Sequence, residues 1–530
     1  MLKQIRAYPI TEVLLKLGTV MVLFTITRLL FYLFNLDSFQ TTTLYQLSII
    51  FLGGLRFDLS AILYLNSLYA ILMLIPVNGK NYPIYRAITN YLFYITNAVA
   101  LALNCIDFAY YKFTSKRTTI TVFEEFANEE NYFQLAYNMV LDYFLVVLVW
   151  LLLVGLLIVV SKKLVNPLQK INSVKTFLLQ TTLFILYIGL SVLGMRSGLP
   201  PKQDFPLSPS DAGQYVENPG DIVLVQNTPF TMMMSLDKPV FPKQAYFDSA
   251  TLELEYSLVK TPKDTATFKP LNIVLIIVES LGRETVGAFN RNLDGGAYKG
   301  YTPFLDSLIE SGYIFVNSYA NSRISIEGSP AVLASIPSLQ ESFTVSNYSG
   351  NKINSLATEL TKKGYHTSFF HGAPNGSLGL NSFVVQAGVE NYFGLNEYGN
   401  ENDYDGVWGI WDHLFLPFAI NTMDSFEEPF LSTIFSVSSH HPHKIPASLA
   451  ADIPEGKIKM HKSIGYADYA LRELFETAKT KDWYKNTLFV ITGDHTCTPY
   501  YPEYQTSVGA YTVPIILFQP GSNLVGVDST

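Results

Sequence analysis

Acidic and histidine side chains follow several apolar runs in the second half of this sequence, where predicted strands end. They are Glu279 after NIVLIIV, His371 after HTSFF, His440 and His441 after FLSTIFSVSS, and Asp494 and His495 after LFVITG. Each alone has an ordinary explanation, such as a loop Asp that caps a helix beside a surface histidine. A carboxylate directly after six apolar residues is nevertheless costly unless it is paired or bound to a cation. The set therefore predicts a metal or anion site, because ligands bind at the carboxyl ends of strands in α/β sheets.

A candidate nucleophile lies in the segment SIEGSP, residues 325–330. Ser325 and Ser329 both stand near the start of a predicted helix, and the N–H groups of a helix N-terminus favour negative charge. The alternative is that either serine is only an N-cap, which is common for this residue type.

The elements that must position these residues alternate between strand and helix. We predict strands at 272–280, 313–320, 366–372, 430–441, 487–495 and 513–518, and helices at 302–312, 355–364 and 465–480. Such alternation is typical of an α/β domain with a mostly parallel sheet and helices on its faces.

The first half of the chain is too apolar for a soluble protein. The 530 residues are 49% hydrophobic and only 15% charged, and the net charge of −8 gives no support for nucleic-acid binding. Runs near the roughly 20 residues needed to cross a membrane lie at 12–34, 57–77, 89–110, 138–160 and 176–195. We therefore predict a five-span α-helical membrane domain over residues 1–196, a linker over 197–268 with one short helix near 221–235, and a catalytic domain over 269–530. The segment GLRFDLS leaves the start of the second span uncertain.

Lysine and arginine in the short loops predict the orientation of these spans. Those on one side are Lys3, Arg6, Lys80, Arg86, Lys162, Lys163, Lys170 and Lys175. The rule that cytoplasmic loops are rich in these residues places the N-terminus in the cytoplasm. Five spans then place everything after Arg196 outside the cytoplasm, where ATP is not available.

Charged residues also occur within the apolar runs: Arg28, Arg56, Asp58, Asp107 and Asp142. Most lie near predicted span ends, where snorkelling to the interface explains them. Arg56 and Asp58 are the best candidates for a contact with a lipid headgroup.

The motifs NIVLIIVES, TPFLDSL, SRISIEG, SSHHP and ITGDH occur in an order and spacing that resemble the lipoteichoic acid synthase-like branch of the sulfatase and alkaline phosphatase clan. The resemblance covers essentially the whole chain. It implies a multi-pass protein of the bacterial cell (inner) membrane with an extracytoplasmic sulfatase-like domain.

The same resemblance implies roles for individual residues. Matched by position, one divalent metal is held by Glu279, Ser325, Asp494 and His495. Mn²⁺ is favoured, and Mg²⁺ or Zn²⁺ also suits this ligand set. Ser325 matches the nucleophile, and His371 and His440 match histidines that contact phosphate.

The implied function is transfer of a phosphoglycerol-type headgroup from a phospholipid such as phosphatidylglycerol to a glycan or glycolipid acceptor. Ser325 would carry the headgroup as a phospho-serine, and His440 would protonate the departing diacylglycerol. The alternatives are phosphoethanolamine transfer, hydrolysis of a phosphodiester or sulfate ester, and, from another class, an inactive envelope scaffold or sensor. SIEGS lacks the Cys/Ser-x-Pro-x-Arg context of formylglycine, which disfavours sulfate hydrolysis. All four metal positions are filled, which disfavours the scaffold.

The sequence departs from the family pattern in three places. Ser325 stands where the best-known members have Thr, and the segment after His371 lacks their Trp and Arg. The chain ends at GSNLVGVDST, where the family continues, so we expect it to be C-terminally incomplete. Asp405 and Trp408 in DYDGVWGIWDH are candidates for the headgroup wall, where they would bind glycerol hydroxyls or an ethanolamine cation. The alternative is that these tryptophans only pack the domain.

Overall fold

The chain divides into two compact units in the computed structural model. The described residues are 8–39, 42–114, 116–120, 122, 141, 143–165, 167–196, 207–236, 246–255, 267–338, 341–496 and 498–529. The membrane unit comprises Met1–Lys238, Ser329–Thr358 and Pro374–Glu390, and the sheet unit comprises Pro239–Gly328, Glu359–Ala373 and Asn391–Thr530. The domain limits at 196 and 268 stay a prediction.

Among the described residues, five helices are long and apolar enough to cross a membrane: Pro9–Phe34, Leu44–Leu65, Pro83–Lys112, Phe144–Leu164 and Val174–Arg196. This confirms the predicted multi-pass α-helical region. The second helix begins 13 residues before the predicted start at 57, behind a capping box formed by Thr43 and Gln46. After Asn66 the chain continues as a shorter helix, Ser67–Leu74.

Arg28, Asp58 and Asp107 are buried and paired with opposite charges, so snorkelling does not explain these three residues. The guanidinium of Arg28 contacts both carboxylate oxygens of Asp58 at 2.6 and 2.7 Å, and the two side chains are 2% and 0% exposed. Arg56, which we predicted together with Asp58 as a candidate for a lipid-headgroup contact, donates to the hydroxyl of Tyr215 at 3.1 Å. Asp142 lies outside the described residues.

The segment after the fifth span forms two short helices, Ile222–Val225 and Thr228–Met234, where we predicted one. Arg28 donates to the carbonyls of Leu224 and Val225 at 2.8 and 3.0 Å. Thr228 donates to the buried carboxylate of Asp107 at 2.5 Å. Buried charges of the membrane helices therefore hold this segment.

The sheet unit contains an eight-stranded sheet in the order β4-β3-β5-β1-β6-β7-β2-β8. Its strands are β1 Asn272–Val278, β2 Tyr313–Phe315, β3 His366–His371, β4 Asn391–Phe393, β5 Phe430–Phe435, β6 Thr487–Gly493, β7 Ile515–Phe518 and β8 Gly526–Asp528. β1 pairs in parallel with β5 and β6, whereas β7 runs antiparallel to β6 and β2. The predicted fold class, an α/β domain with a mostly parallel sheet, is confirmed.

The remaining α-helices of the described residues are Ser249–Glu255, Pro303–Ile309, Ser325–Ala334, Leu356–Thr361, Leu380–Gln386, Leu395–Tyr398, Asp412–Met423 and Lys459–Ala478. The last two bury apolar side chains against the sheet, and the core includes Ile276 and Ile491 from the central strands. Buried apolar area is the main stabilising contribution in such a layer.

The strand predicted at 430–441 ends at Phe435, before the histidines. Asp412 explains the early end, because its carboxylate oxygens accept hydrogen bonds from the backbone N–H groups of Val437 and Ser438 at 3.0 and 2.9 Å. Burial raises the pKa of Asp412 to about 6. These bonds replace those of a sheet neighbour and turn the chain toward the carboxyl edge.

Candidate active site

Glu279 and Asp494 lie side by side at the carboxyl ends of two neighbouring strands. β1 and β6 are neighbours, and Val278 is in register with Gly493, so the residue after each strand lies at the same edge. Ser280 adopts a left-handed φ of 58° and donates its backbone N–H to Asp494 Oδ1 at 2.8 Å. The turn after β1 therefore orients the carboxylate that follows β6.

Ser325 begins the helix that faces this edge. A Cβ added to Gly328 would lie 2.8 Å from Asp494 Cβ, so only glycine permits this close approach of the helix. Ser325 Oγ lies 3.0 Å from Glu279 Oε2 and 3.2 Å from His495 Nε2. Three elements far apart in sequence thus bring a hydroxyl, a carboxylate and an imidazole together.

Three predicted metal ligands form one buried cluster. One ligand atom each from Glu279, Asp494 and His495 lies within 4.8 Å of the others. Nε2 of His495 is 3.3 Å from Asp494 Oδ2 and 3.5 Å from Glu279 Oε1. Burial, and then the charge of Glu279, raise the pKa of Asp494 well above its usual range. The cluster therefore concentrates negative charge away from water.

Two further observations indicate that these residues could hold a divalent cation. Asp494 Oδ2 is buried and accepts no hydrogen bond from the described residues. His495 Nδ1 lies 2.7 Å from the carbonyl oxygen of Thr496 and must donate to it, which leaves the Nε2 lone pair facing the carboxylates. A set of two carboxylates, one imidazole and a hydroxyl suits Mn²⁺, Mg²⁺ or Zn²⁺.

A cavity of about 510 Å³ opens onto the cluster, and Glu279 and His495 form part of its wall. His440 lines the same cavity, with its ring 4.0 Å from the ring of Trp408. His440 Nδ1 donates to the carbonyl of His441 at 3.0 Å, so Nε2 is the nitrogen available to a substrate. The structure thus places His440 in the wall of the same cavity as the predicted ligands Glu279 and His495.

His371 does not line this cavity. Its side chain is buried at the end of β3, with Nδ1 3.1 Å from the carbonyl oxygen of Phe435. Burial lowers the pKa of His371 to about 4, so the ring is neutral at pH 7. Its contact with phosphate stays a prediction.

Asp405 and Trp408, the residues of the predicted headgroup wall, have different structural roles. Asp405 Oδ1 accepts backbone hydrogen bonds from Val407 and Trp408 at 2.6 and 2.8 Å, which makes it a turn-forming residue. Trp408 donates its indole N–H to the carbonyl of His441 at 2.5 Å. The indole is therefore fixed beside His440, whereas Asp405 organises the loop that carries it.

Sequence reasoning missed several residues of the site. Ser436 and Ser439 hold the backbone of Glu279 through hydrogen bonds of 2.9 and 2.6 Å. Arg323 and Lys459 add positive charge to the cavity wall. The position of Arg323, two residues before Ser325, was a readable signal, but nothing in the sequence placed Lys459 here.

Residues 271–529 match the protein family described as Sulfatase. Lipoteichoic acid synthase-like YvgJ of Bacillus subtilis is 22% identical over 43% of this chain and 37% of its own length. Phosphoglycerol transferase I of Xanthomonas campestris is 26% identical over 51% of this chain and 41% of its own length. The chain thus spans about two fifths of the length of these relatives. The lipoteichoic acid synthase LtaP of Listeria monocytogenes is a similar solved structure, with 21% identity, 49% and 68% of the two chains covered, and a TM-score of 0.43.

Proposed function

We propose that this chain is a metal-dependent membrane phosphotransferase, because residues 271–529 match the Sulfatase family. It moves a phosphoglycerol-type headgroup from a phospholipid to a glycan or glycolipid acceptor. The observation that carries the proposal is the contact of the Ser325 hydroxyl with both Glu279 and His495, two residues that line the cavity. Relatives named phosphoglycerol transferase I and lipoteichoic acid synthase-like support the reaction class.

Ser325 is the proposed nucleophile. Its hydroxyl donates to Glu279 Oε2, so a proton acceptor is already in contact with it. A divalent ion held by Glu279, Asp494 and His495 would favour the ionised form of the hydroxyl and neutralise the buried carboxylates. Ser325 Oγ then attacks the phosphorus of the donor phosphodiester and forms a new P–O bond.

His440 is the proposed proton donor to the leaving group. When the P–O bond to diacylglycerol breaks, its oxygen takes a proton, and protonated His440 offers one at Nε2 on the cavity wall. Ser325 is left carrying the headgroup. The neutral His440 then accepts the proton of an acceptor hydroxyl, which attacks the phosphorus and releases Ser325. Neither step consumes a nucleotide.

Phosphoethanolamine transfer is the second candidate. The indole of Trp408 beside His440 would attract an ammonium group through a cation–π contact. Phosphoglycerol remains the first candidate because it matches the names of the curated relatives. Membrane placement with the N-terminus in the cytoplasm and the sheet unit outside it completes the proposal.

Intact-mass measurement of the full chain after incubation with mixed phospholipids tests the function. We expect a covalent adduct with the mass of one phosphoglycerol, and its absence from the Ser325→Ala variant. An adduct with the mass of phosphoethanolamine would replace the donor assignment. No adduct together with no release of diacylglycerol would overturn the proposal.

A further inference from the structure

A second cleft lies on the sheet unit, apart from the catalytic cavity that Glu279, His440 and His495 line. Its volume is about 720 Å³, within the range of roughly 300–1,000 Å³ typical of ligand pockets. The side chains that matter here are Lys299, Tyr301, Phe304, Asp452, Tyr469 and Arg472. No residue of this cleft lines the catalytic cavity.

One helix, Lys459–Ala478, borders both cavities. Its first two residues line the catalytic cavity, and Tyr469 and Arg472 line the second cleft. Ten residues of helix separate Lys459 from Tyr469, which is about 15 Å at the usual rise. An extended ligand of a few linked rings therefore has the length to reach from the cleft to the catalytic cavity.

The walls of the cleft are fixed by buried contacts. The Asp468 carboxylate accepts the backbone N–H groups of Phe304 and Leu305 at 2.8 and 2.9 Å and so holds the start of the neighbouring helix. The ring of Tyr301 stacks on the fully buried ring of His461 with a centroid distance of 4.1 Å. A fixed wall loses little conformational freedom when a ligand binds.

The chemistry of the lining favours a polyhydroxylated ring compound. Tyr301, Phe304 and Tyr469 supply flat apolar faces, which suit the C–H faces of a sugar. Lys299 and Arg472 supply donors, and Asp452 supplies an acceptor for hydroxyl groups. Charges of both signs around the cleft disfavour an acyl chain, which would leave them desolvated, and a polyanion, which the carboxylate would repel.

We propose that this cleft binds the carbohydrate part of the acceptor and directs one of its hydroxyls toward Ser325. The proposal rests on the transferase function above, and it assigns the acceptor a binding surface separate from that of the lipid donor. A soluble glycan and the sugar of a glycolipid share the chemistry that the cleft recognises.

The test uses the full chain in phosphatidylglycerol nanodiscs with two probes, a neutral glucose hexasaccharide and a glucosyl diacylglycerol. Mass spectrometry measures transfer to each probe, and diacylglycerol release without a probe measures hydrolysis. Tyr469→Ala and Arg472→Ala should each lower the ratio of transfer to hydrolysis about threefold to tenfold, the usual value of one stacking contact or one hydrogen bond. The matched control is Lys479→Ala, directly after the end of this helix, whose exposed side chain pairs with Glu476. It should leave the ratio unchanged.

Transfer to only the hexasaccharide, or only the glycolipid, would identify the source of the carbohydrate. Unchanged ratios in both cleft variants with both probes would overturn the proposal. Ligand-observed NMR with the Ser325→Ala protein measures sugar binding without catalysis. The Tyr469→Phe variant keeps the aromatic ring and should bind the hexasaccharide as tightly as the parent protein does. If the protein binds sugar but never releases diacylglycerol, the proposed transferase function is contradicted and the proposed sugar-binding cleft is retained. If the protein releases diacylglycerol but binds no sugar, the proposed cleft is contradicted and the transferase function is retained.

Discussion

The hydroxyl of Ser325 donates a 3.0 Å hydrogen bond to the carboxylate of Glu279. The first residue of a helix and the residue after the central strand β1 are thereby joined at the carboxyl edge of the sheet. Both side chains are buried, at 6% and 3% exposure, so few water molecules compete for this bond. The contact indicates which of the two candidate serines is placed to act as a nucleophile.

Ser325→Ala should lower the rate of diacylglycerol release about a thousandfold or more, as expected when a nucleophile is removed. Ser325→Thr keeps a hydroxyl and should retain measurable activity. Ser329→Ala is the matched control, because Ser329 is also buried but its hydroxyl has no hydrogen-bond partner among the described residues. Equal losses in Ser325→Ala and Ser329→Ala would contradict the assignment.

Asp494→Asn should lose most of its bound divalent metal, measured by elemental analysis of the purified chain. The reason is that one of two buried carboxylates is gone. In metal-free protein the same variant should melt no earlier than the parent, because burying two neighbouring carboxylates is unfavourable. Asp452→Asn, on the exposed surface, should change neither quantity. Unaltered metal content in Asp494→Asn would remove this residue from the site.

Asp405→Asn should slow cleavage of phosphatidylglycerol and phosphatidylethanolamine by the same factor. Its Oδ1 holds the turn that carries Trp408, so the substitution disturbs the loop for either donor. Parallel rates of diacylglycerol release from the two lipids are the measurement. A loss confined to phosphatidylethanolamine would instead place this carboxylate on the ethanolamine group.

The buried ring of His371 should make the protein less stable in acid. Its pKa is lowered from about 6.5 to about 4, so the unfolded chain binds a proton first as the pH falls. Stability from this group is complete above pH 6.5 and is lost toward pH 4. Melting temperatures of metal-free protein should fall over this interval, and less steeply in His371→Asn than in the parent or in the exposed control His441→Asn. Identical slopes in all three would show that His371 does not titrate this way.

A periplasmic phosphatase reporter fused after Arg196 should be active, and a fluorescent reporter that folds only in the cytoplasm should be dark. The same pair fused after Lys80 should give the opposite result, since Lys80 lies among the basic loops. Cytoplasmic fluorescence from the Arg196 fusion would reverse the orientation and remove the reason for a nucleotide-free reaction.

The sequence alone predicts those site residues that directly follow a strand. Apolar runs bury themselves, and a polar residue directly after such a run must emerge at a sheet edge, which places Glu279 and Asp494 correctly. The direction of β7 was not readable, because the run at 513–518 has the same apolar pattern in a parallel or an antiparallel neighbour. The true end of β5 depends on Asp412, whose bonds to Val437 and Ser438 are contacts between distant parts of the chain.

The membrane helices show the same limit. Arg56 and Asp58 within GLRFDLS suggested an interruption, because unpaired charges are costly in an apolar helix. Arg28, whose ion pair with Asp58 offsets the cost of burying that carboxylate, lies on another helix. Local sequence therefore cannot distinguish a break from a buried ion pair. The second cleft likewise has no sequence motif, since residues 299–307 and 449–472 meet only in the fold.

The bonds from Arg28 to the carbonyls of Leu224 and Val225 have a consequence for how the protein is synthesised. Arg28 enters the bilayer with the first helix, long before the ribosome reaches residue 224. Until then its remaining N–H donors must be satisfied by water or lipid headgroups, even if Asp58 has already neutralised its charge. A chain terminated after the fifth helix would lack the carbonyls of Leu224 and Val225 as partners for Arg28. The hydrogen bonding of Arg28 is therefore complete only after residues 224 and 225, which follow the fifth apolar helix, have been translated.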